Sequence, residues 1–154
     1  MQRHLYLYLA CIALLTTSAH AIEKIQPNPA AIELVNRFMT ALQTPDEAAR
    51  VRSILLLIHK SMKTNDGSDL APNVRRYSFR KASAGVRHYA VPVRVTEVHK
   101  GRTVQVGYKV TAERGRKDKY FVAKKPGAVG RPAPIHVFFP DGGGAPSVID
   151  FGSL

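Results

Sequence analysis

The apolar period of this chain changes once along its length, and that change limits the folds open to it. Ahead of residue 68 apolar side chains recur at the spacing of one helical face, and beyond residue 73 they alternate as in strands. Asn28 and Pro29 read as the cap and first-turn residue of a helix, and Ile32, Val35, Phe38, Met39 and Leu42 follow at helical spacing. Thr44-Pro45-Asp46-Glu47 opens a second helix. Thr44 is placed to cap the amide three residues on and Glu47 to return the bond, a capping box. Val51, Ile54, Leu55, Ile58 and Met62 form its stripe, Leu56 and Leu57 widen it, and Asn65-Asp66-Gly67 ends it. The expected helices are Ala30–Leu42 and Pro45–Thr64.

After a polar loop, Ser68–Asn73, the expected strands begin. Val74–Lys81 sets Tyr77 and Phe79 against Arg76, Ser78 and Arg80. Tyr89, Val91, Val93 and Val95 alternate with Ala90, Pro92, Arg94 and Thr96; Val104, Val106, Tyr108 and Val110 alternate with Gln105, Gly107, Lys109 and Thr111. A two-residue turn at Lys100-Gly101 would set Val95 opposite Val106, Val93 opposite Tyr108 and Val91 opposite Val110, with apolar sides matched. A three-residue turn at Gly115-Arg116-Lys117 would oppose Glu113 to Lys119 and Val110 to Val122. Pro92 donates no amide, so its strand is expected at an edge or bulge. Ile135–Phe139 and Val148–Phe151 complete the set, joined by the turn Asp141–Pro146. The fold class expected is α+β, with two N-terminal helices packed on a curved antiparallel sheet.

Residues 1–21 read separately. Arg3 and His4 form a basic head, Leu5 to Leu15 is apolar, and Ala19-His20-Ala21 supplies small residues at −3 and −1. This is the pattern of a cleaved secretory signal, with the mature chain starting at Ile22. A membrane anchor needs roughly 20 apolar residues, more than this run offers, and the lead-in to Cys11 is poor for a lipoprotein. The expectation is a signal peptide at 1–21, one domain at 22–154, a secreted or periplasmic location and no transmembrane segment after cleavage. Cys11 is the only cysteine, so the mature chain would have no disulfide and no thiol chemistry, which fits a bacterial periplasm.

Charge is concentrated in the middle of the chain. Residues 22–74 carry six basic and six acidic side chains, residues 75–131 sixteen basic and three acidic, and residues 132–154 two acids and no Lys or Arg. A field of this kind favours polyanions: an anionic envelope component, a headgroup, an acidic glycan. The alternative is that the charge serves solubility. Alternation places Arg76, Arg80, Arg94 and Lys109 on polar strand faces, while Arg114, Arg116, Lys117 and Lys119 surround an expected turn; these eight are the candidate anion-binding residues. Few aromatics interleave with them, so there is no single-strand stacking pattern and no specific nucleic-acid motif.

The helix pair, the Tyr77-Ser78-Phe79 strand, the long Val91–Val110 hairpin and the closing Pro134–Pro140 and Asp150–Leu154 segments resemble the nuclear-transport-factor-2-like group. This is the cystatin-like α+β cone shared with ketosteroid isomerases and many exported bacterial proteins. The resemblance implies a cone between sheet and helices, which some members use for isomerase or hydratase chemistry and many only for binding or dimerisation, so fold alone assigns no activity. It also implies a further short helix, for which Leu70–Val74 or Lys81–Val86 is available. Tyr108, Tyr120, Val93 and Val106 are the candidate pocket-lining residues. An isomerase site of this kind also needs an acid on that face; Asp118 and Glu113 sit by an expected turn, and Asp150, which alternates with Ile149 and Phe151, is open to either side.

No catalytic residues are assigned, and no cofactor is expected. His59, His88, His99 and His136 show no paired metal-ligand spacing, so no metal is expected either. Asp141-Gly142-Gly143-Gly144 lacks the Lys-Ser/Thr and the helix of a phosphate loop and reads as a turn. The function expected is a non-catalytic exported module with a basic sheet surface for an anionic partner, with a homodimer through the same sheet as a further use. The alternative is a carrier or isomerase-type enzyme holding a small apolar ligand in the cone.

Overall fold

The computed structural model describes residues 22–109 and 112–154. The expected signal segment, residues 1–21, lies outside the described residues. Helix α1 (Pro29–Leu42) starts as expected: the Asn28 side chain accepts from the Ala31 amide at 3.2 Å, with Pro29 in the first turn. Its buried face is Ala31, Leu34, Val35, Phe38, Met39, Ala41 and Leu42.

Helix α2 (Glu47–Leu55) differs at both ends from the expectation. Asp46, not Thr44, is the cap, and its Oδ1 accepts from the Ala49 amide at 2.7 Å. The helix also stops at Leu55 instead of running to Thr64. The chain straightens so that Val148 donates to the Leu57 carbonyl at 2.9 Å and His59 donates to the Val148 carbonyl at 2.8 Å, a parallel bridge to the last strand. A run as apolar as Ile54–Ile58 is compatible with helix or buried strand, and here a free sheet edge decides. A 3-10 turn, Lys60–Met62, follows.

The expected strand Val74–Lys81 is helical. A π-helical stretch, Val74–Phe79, continues into α3 (Arg80–Gly85) and a 3-10 turn, Val86–His88. The buried residues are Val74, Phe79, Ala82 and Val86. The first gap spans five residues, which is the i→i+5 repeat of a π turn, and the next two have α spacing. Tyr77, the residue that suggested a strand face, is exposed.

The sheet has five antiparallel strands: β1 (Val95–His99), β2 (Thr103–Val106), β3 (Glu113–Val122), β4 (Ala133–Pro140) and β5 (Ser147–Asp150). Their order is β1-β3-β4-β5, with β2 also on β3. The architecture is thus α+β with the helices preceding the sheet. Neither expected early hairpin forms. Val95 pairs with Val122 and Val106 with Glu113, so β1 and β2 are two lengths of one edge laid against β3. The glycines explain the difference. A Cβ on Gly101 would lie 1.4 Å from the Lys117 carbonyl oxygen, and one on Gly115 would lie 2.3 Å from that of Phe139. Both are close-approach glycines within the sheet, not turn residues. The reversal occurs between β2 and β3, beyond Gly107, whose φ is 102°. Pro92 lies ahead of β1 and outside the ladder.

One face of the sheet meets the helices. Tyr120, Ile135, Val137, Val148 and Phe151 are fully buried there with Phe38, Met39, Leu42 and Ile54, and the Phe38 and Phe151 rings stand 4.9 Å apart. The opposite face is the outer face.

Candidate anion-binding face

Outer-face positions of β3 carry Lys117 and Lys119, because Asp118 and Tyr120 point into the core. The register lines up one row across four strands: His99 beside Lys119, Lys119 beside His136, and His136 beside Asp150. Residues 23–25 run along the far edge of β1, where Ile25 donates to the Val98 carbonyl at 3.0 Å and Lys100 to the Glu23 carbonyl at 2.9 Å. The result is a groove of about 820 Å³ lined by His99, Lys100, Arg102, Lys117, Lys119 and His136 together with Ile22, Glu23, Gly101 and Val104.

The row ends at Asp150 on one side and at Lys24, bridged beside His99, on the other, with Glu97 two residues along β1. Glu97 contacts His99 Nε2 at 3.0 Å and Lys24 at 2.7 Å. Asp150 contacts His136 Nδ1 at 3.0 Å and Lys117 at 3.6 Å and accepts from the Gly152 amide at 3.1 Å. The His136 ring beside Asp150 holds that carboxyl well below the usual carboxylate range, and the amide and Lys117 add to it. Lys24 does the same more mildly for Glu97. Lys100 pairs with Glu23 at 2.9 Å. Lys119 and Arg102 have no acidic partner among the described residues. Five cations, with Lys24 included, against three acids leave the groove positive, and its concave wall concentrates that field.

The eight expected anion-binding residues do not form one surface. Lys117 and Lys119 line the groove. Arg76 and Arg80 are exposed on the third helical segment, not on a strand. Arg94 is exposed ahead of β1, and Lys109 sits in the β2–β3 connection at φ 48° with its ammonium over the Tyr108 ring. Arg114 pairs with Asp141 at 3.3 Å. Arg116 lies on the core side of β3 and binds Asp118 through Nε at 2.9 Å. His99, His136, Lys100 and Arg102 were not singled out by sequence. The alternation of His136 with Ile135 and Val137 was the available signal for one of them; the rest needed the cross-strand register.

The four expected pocket-lining residues are likewise separated. Tyr120 is fully buried, its hydroxyl accepts from the Asn28 amide at 3.4 Å, and burial pushes the phenol pKa up. Val93 is buried and donates its amide to Asn36 Oδ1 at 2.8 Å. Val106 is half-buried in β2, while Tyr108 is 73% exposed. An acid does share the face of Tyr120, contrary to the sequence reading: Asp118 is fully buried. Its Oδ1 accepts from the Gly101 amide and Arg116 Nε, both at 2.9 Å, so this carboxylate pins the break between β1 and β2.

A second cluster has the composition of a nucleophile, base and acid. Ser61 Oγ lies 2.8 Å from His59 Nδ1, and His59 Nε2 lies 3.3 Å from Glu113 Oε2. The Ser61 amide donates to the same Nδ1 at 3.2 Å, so the imidazole is the cap of the 3-10 turn, with its proton on Nε2 toward Glu113. Burial lowers the His59 pKa, against the opposing pull of Glu113. Among the described residues no group of three His, Cys, Asp or Glu is arranged to hold a metal ion. No helix there is long and apolar enough to cross a membrane. No protein-family model, curated protein or solved structure matches the chain.

Proposed function

We propose that this protein is an exported, non-catalytic binding module whose outer sheet face engages an anionic partner of the cell envelope. The observation that carries the reading is the groove on that face. Lys100, Arg102, Lys117 and Lys119 converge there, and two of the four have no acidic partner among the described residues. A solubilising charge has no reason to gather in a concavity, since like charges repel and dispersed ones solvate better. Export rests on the basic head, apolar run and Ala19-His20-Ala21 of the sequence. The nuclear-transport-factor-2-like reading keeps the support of helices preceding an antiparallel sheet, but the Tyr77-Ser78-Phe79 strand and the Val91–Val110 hairpin that suggested it do not form. A homodimer through this face is disfavoured, because a second copy would bring cations onto cations.

Purified protein titrated with a labelled polyanion across a salt series tests the reading, with a neutral glycan as control. Binding is expected to weaken steeply with salt, as counterion release requires, and to be lost in Lys117→Glu/Lys119→Glu. Charge reversal at Arg76 and Arg80, on the third helical segment, is expected to change little. Absence of binding at low salt would overturn the proposal.

A further inference from the structure

The row His99–Lys119–His136 has a composition that charge alone does not require. Directly opposed side chains on neighbouring antiparallel strands have Cβ atoms about 5 Å apart, so the three nitrogen-bearing groups stand side by side. Both imidazoles line the groove, and their side chains are 15% and 12% exposed. Each turns one nitrogen to an acid at 3.0 Å, His99 Nε2 to Glu97 two residues away on β1 and His136 Nδ1 to Asp150 across on β5. The opposite nitrogens, His99 Nδ1 and His136 Nε2, have no protein partner among the described residues. The acid-facing nitrogens are buried and not aligned for a hydrogen bond. Each ring stands at ion-pair distance from its carboxylate, and a charge on the ring strengthens such a contact.

We propose that His99, Lys119 and His136 form a seat for a single tetrahedral oxyanion of the phosphate-ester class, and that the anion binds together with protons taken up by the two imidazoles. The proposal rests on the anion-binding reading above. A neutral ring carries its proton on one nitrogen and a lone pair on the other, and it brings no charge to an anion. Protonation turns that lone pair into a donor and adds a positive charge, so the seat then offers an ammonium flanked by two imidazolium donors, the charge-assisted bonds that oxyanions favour. The groups facing His99 are Glu97, Lys24 and Lys119, with the Phe121 ring at 4.6 Å. Those facing His136 are Asp150, Lys117 and Lys119. An anion seated among these lysines offsets their charge at the rings, which is the coupling between proton and anion.

Inorganic sulfate and glycerol phosphate are the probes for calorimetric titration between pH 8 and pH 5.5. Sulfate keeps its charge over that range, so any pH dependence of its binding belongs to the protein. Sulfate affinity is expected to rise at least about tenfold from pH 8 to pH 5.5 as charge-assisted donors are gained, with net proton uptake seen as a dependence of the heat on buffer ionisation enthalpy. In His99→Gln/His136→Gln, with folding checked by circular dichroism, the pH dependence and the uptake should disappear while salt-sensitive polyanion binding persists. Vesicles of phosphatidylglycerol against phosphatidylcholine distinguish the sources: pH-dependent binding only to the former assigns the phosphate to a lipid headgroup, and binding of glycerol phosphate in solution assigns it to a free ester. Sulfate or vesicle binding without pH dependence, alongside intact polyanion binding, would overturn the proton-coupled seat and leave the anion-binding reading standing. Loss of polyanion binding as well would remove both.

Discussion

At the scale of single residues, the charged groups of this chain divide by which side of β3 they occupy. Asp118 and Arg116 face inward and serve the break between β1 and β2, whereas Lys117 and Lys119 face outward and line the groove. A shift of one residue in the register would exchange these roles, because side-chain direction has a period of two. His59 shows the cost of burying a titratable group. Its pKa is lowered chiefly by burial, so the unfolded chain binds a proton at this site more readily than the folded one. The folding stability that depends on the neutral ring is complete above the unfolded pKa of about 6.5 and is lost as pH falls from there through the folded value. Urea midpoints should therefore decline between pH 7.5 and pH 5.5. His59→Gln, which cannot take the proton, should flatten that decline while lowering the midpoint at pH 7.5 through loss of the Phe138 ring contact at 5.1 Å. An undiminished slope in the variant would show that the titrating group lies elsewhere.

At the scale of elements, legibility depended on whether local signals competed. Helix α1 was readable because Asn28, Pro29 and a regular stripe agree, and β4 and β5 because their apolar runs are bounded by Pro and Gly residues. The start of α2 was less so: Thr44 and Asp46 are both good caps two residues apart, and only the structure shows Asp46 in use. Replacing Asp46 with Ala should cost about 0.5–2 kcal/mol, as loss of a used cap does, while Thr44→Ala should leave the chemical-denaturation midpoint nearly unchanged. Equal losses in the two would restore the capping box. The third helical segment was misread because Tyr77 and Phe79 alternate with Arg76, Ser78 and Arg80 over a short window, whereas in the helix Phe79 is buried and Tyr77 is exposed. The hairpins were misread because Gly101 and Gly115 were taken for turn glycines, when each is required by a neighbouring carbonyl oxygen that a Cβ would strike.

At the scale of the whole molecule, the helical part and the sheet are tied at the edge of β5. Val148 donates to Leu57 and accepts from His59, and its fully buried side chain is part of the core that also holds Phe38 and Ile54. Val148→Pro removes the donated bond and strains the strand. Thermal unfolding monitored separately by near- and far-ultraviolet circular dichroism should show a large and coincident fall in Tm, since the two parts share one core. Separate transitions, with the helical signal preserved, would show that they fold independently.

The sequence by itself determined the class of this protein, the two leading helices, the two closing strands and the concentration of cations in residues 75–131, because these follow from local period and composition. It left open which cations share a surface. Only the tertiary structure set His99, Lys119 and His136 in one row and sent Arg76, Arg80, Lys109 and Arg116 elsewhere. The physical reason is that cross-strand register is fixed by contacts between residues far apart in the chain, such as the Asp118 carboxylate with the Gly101 amide. No local window contains both partners of such a contact.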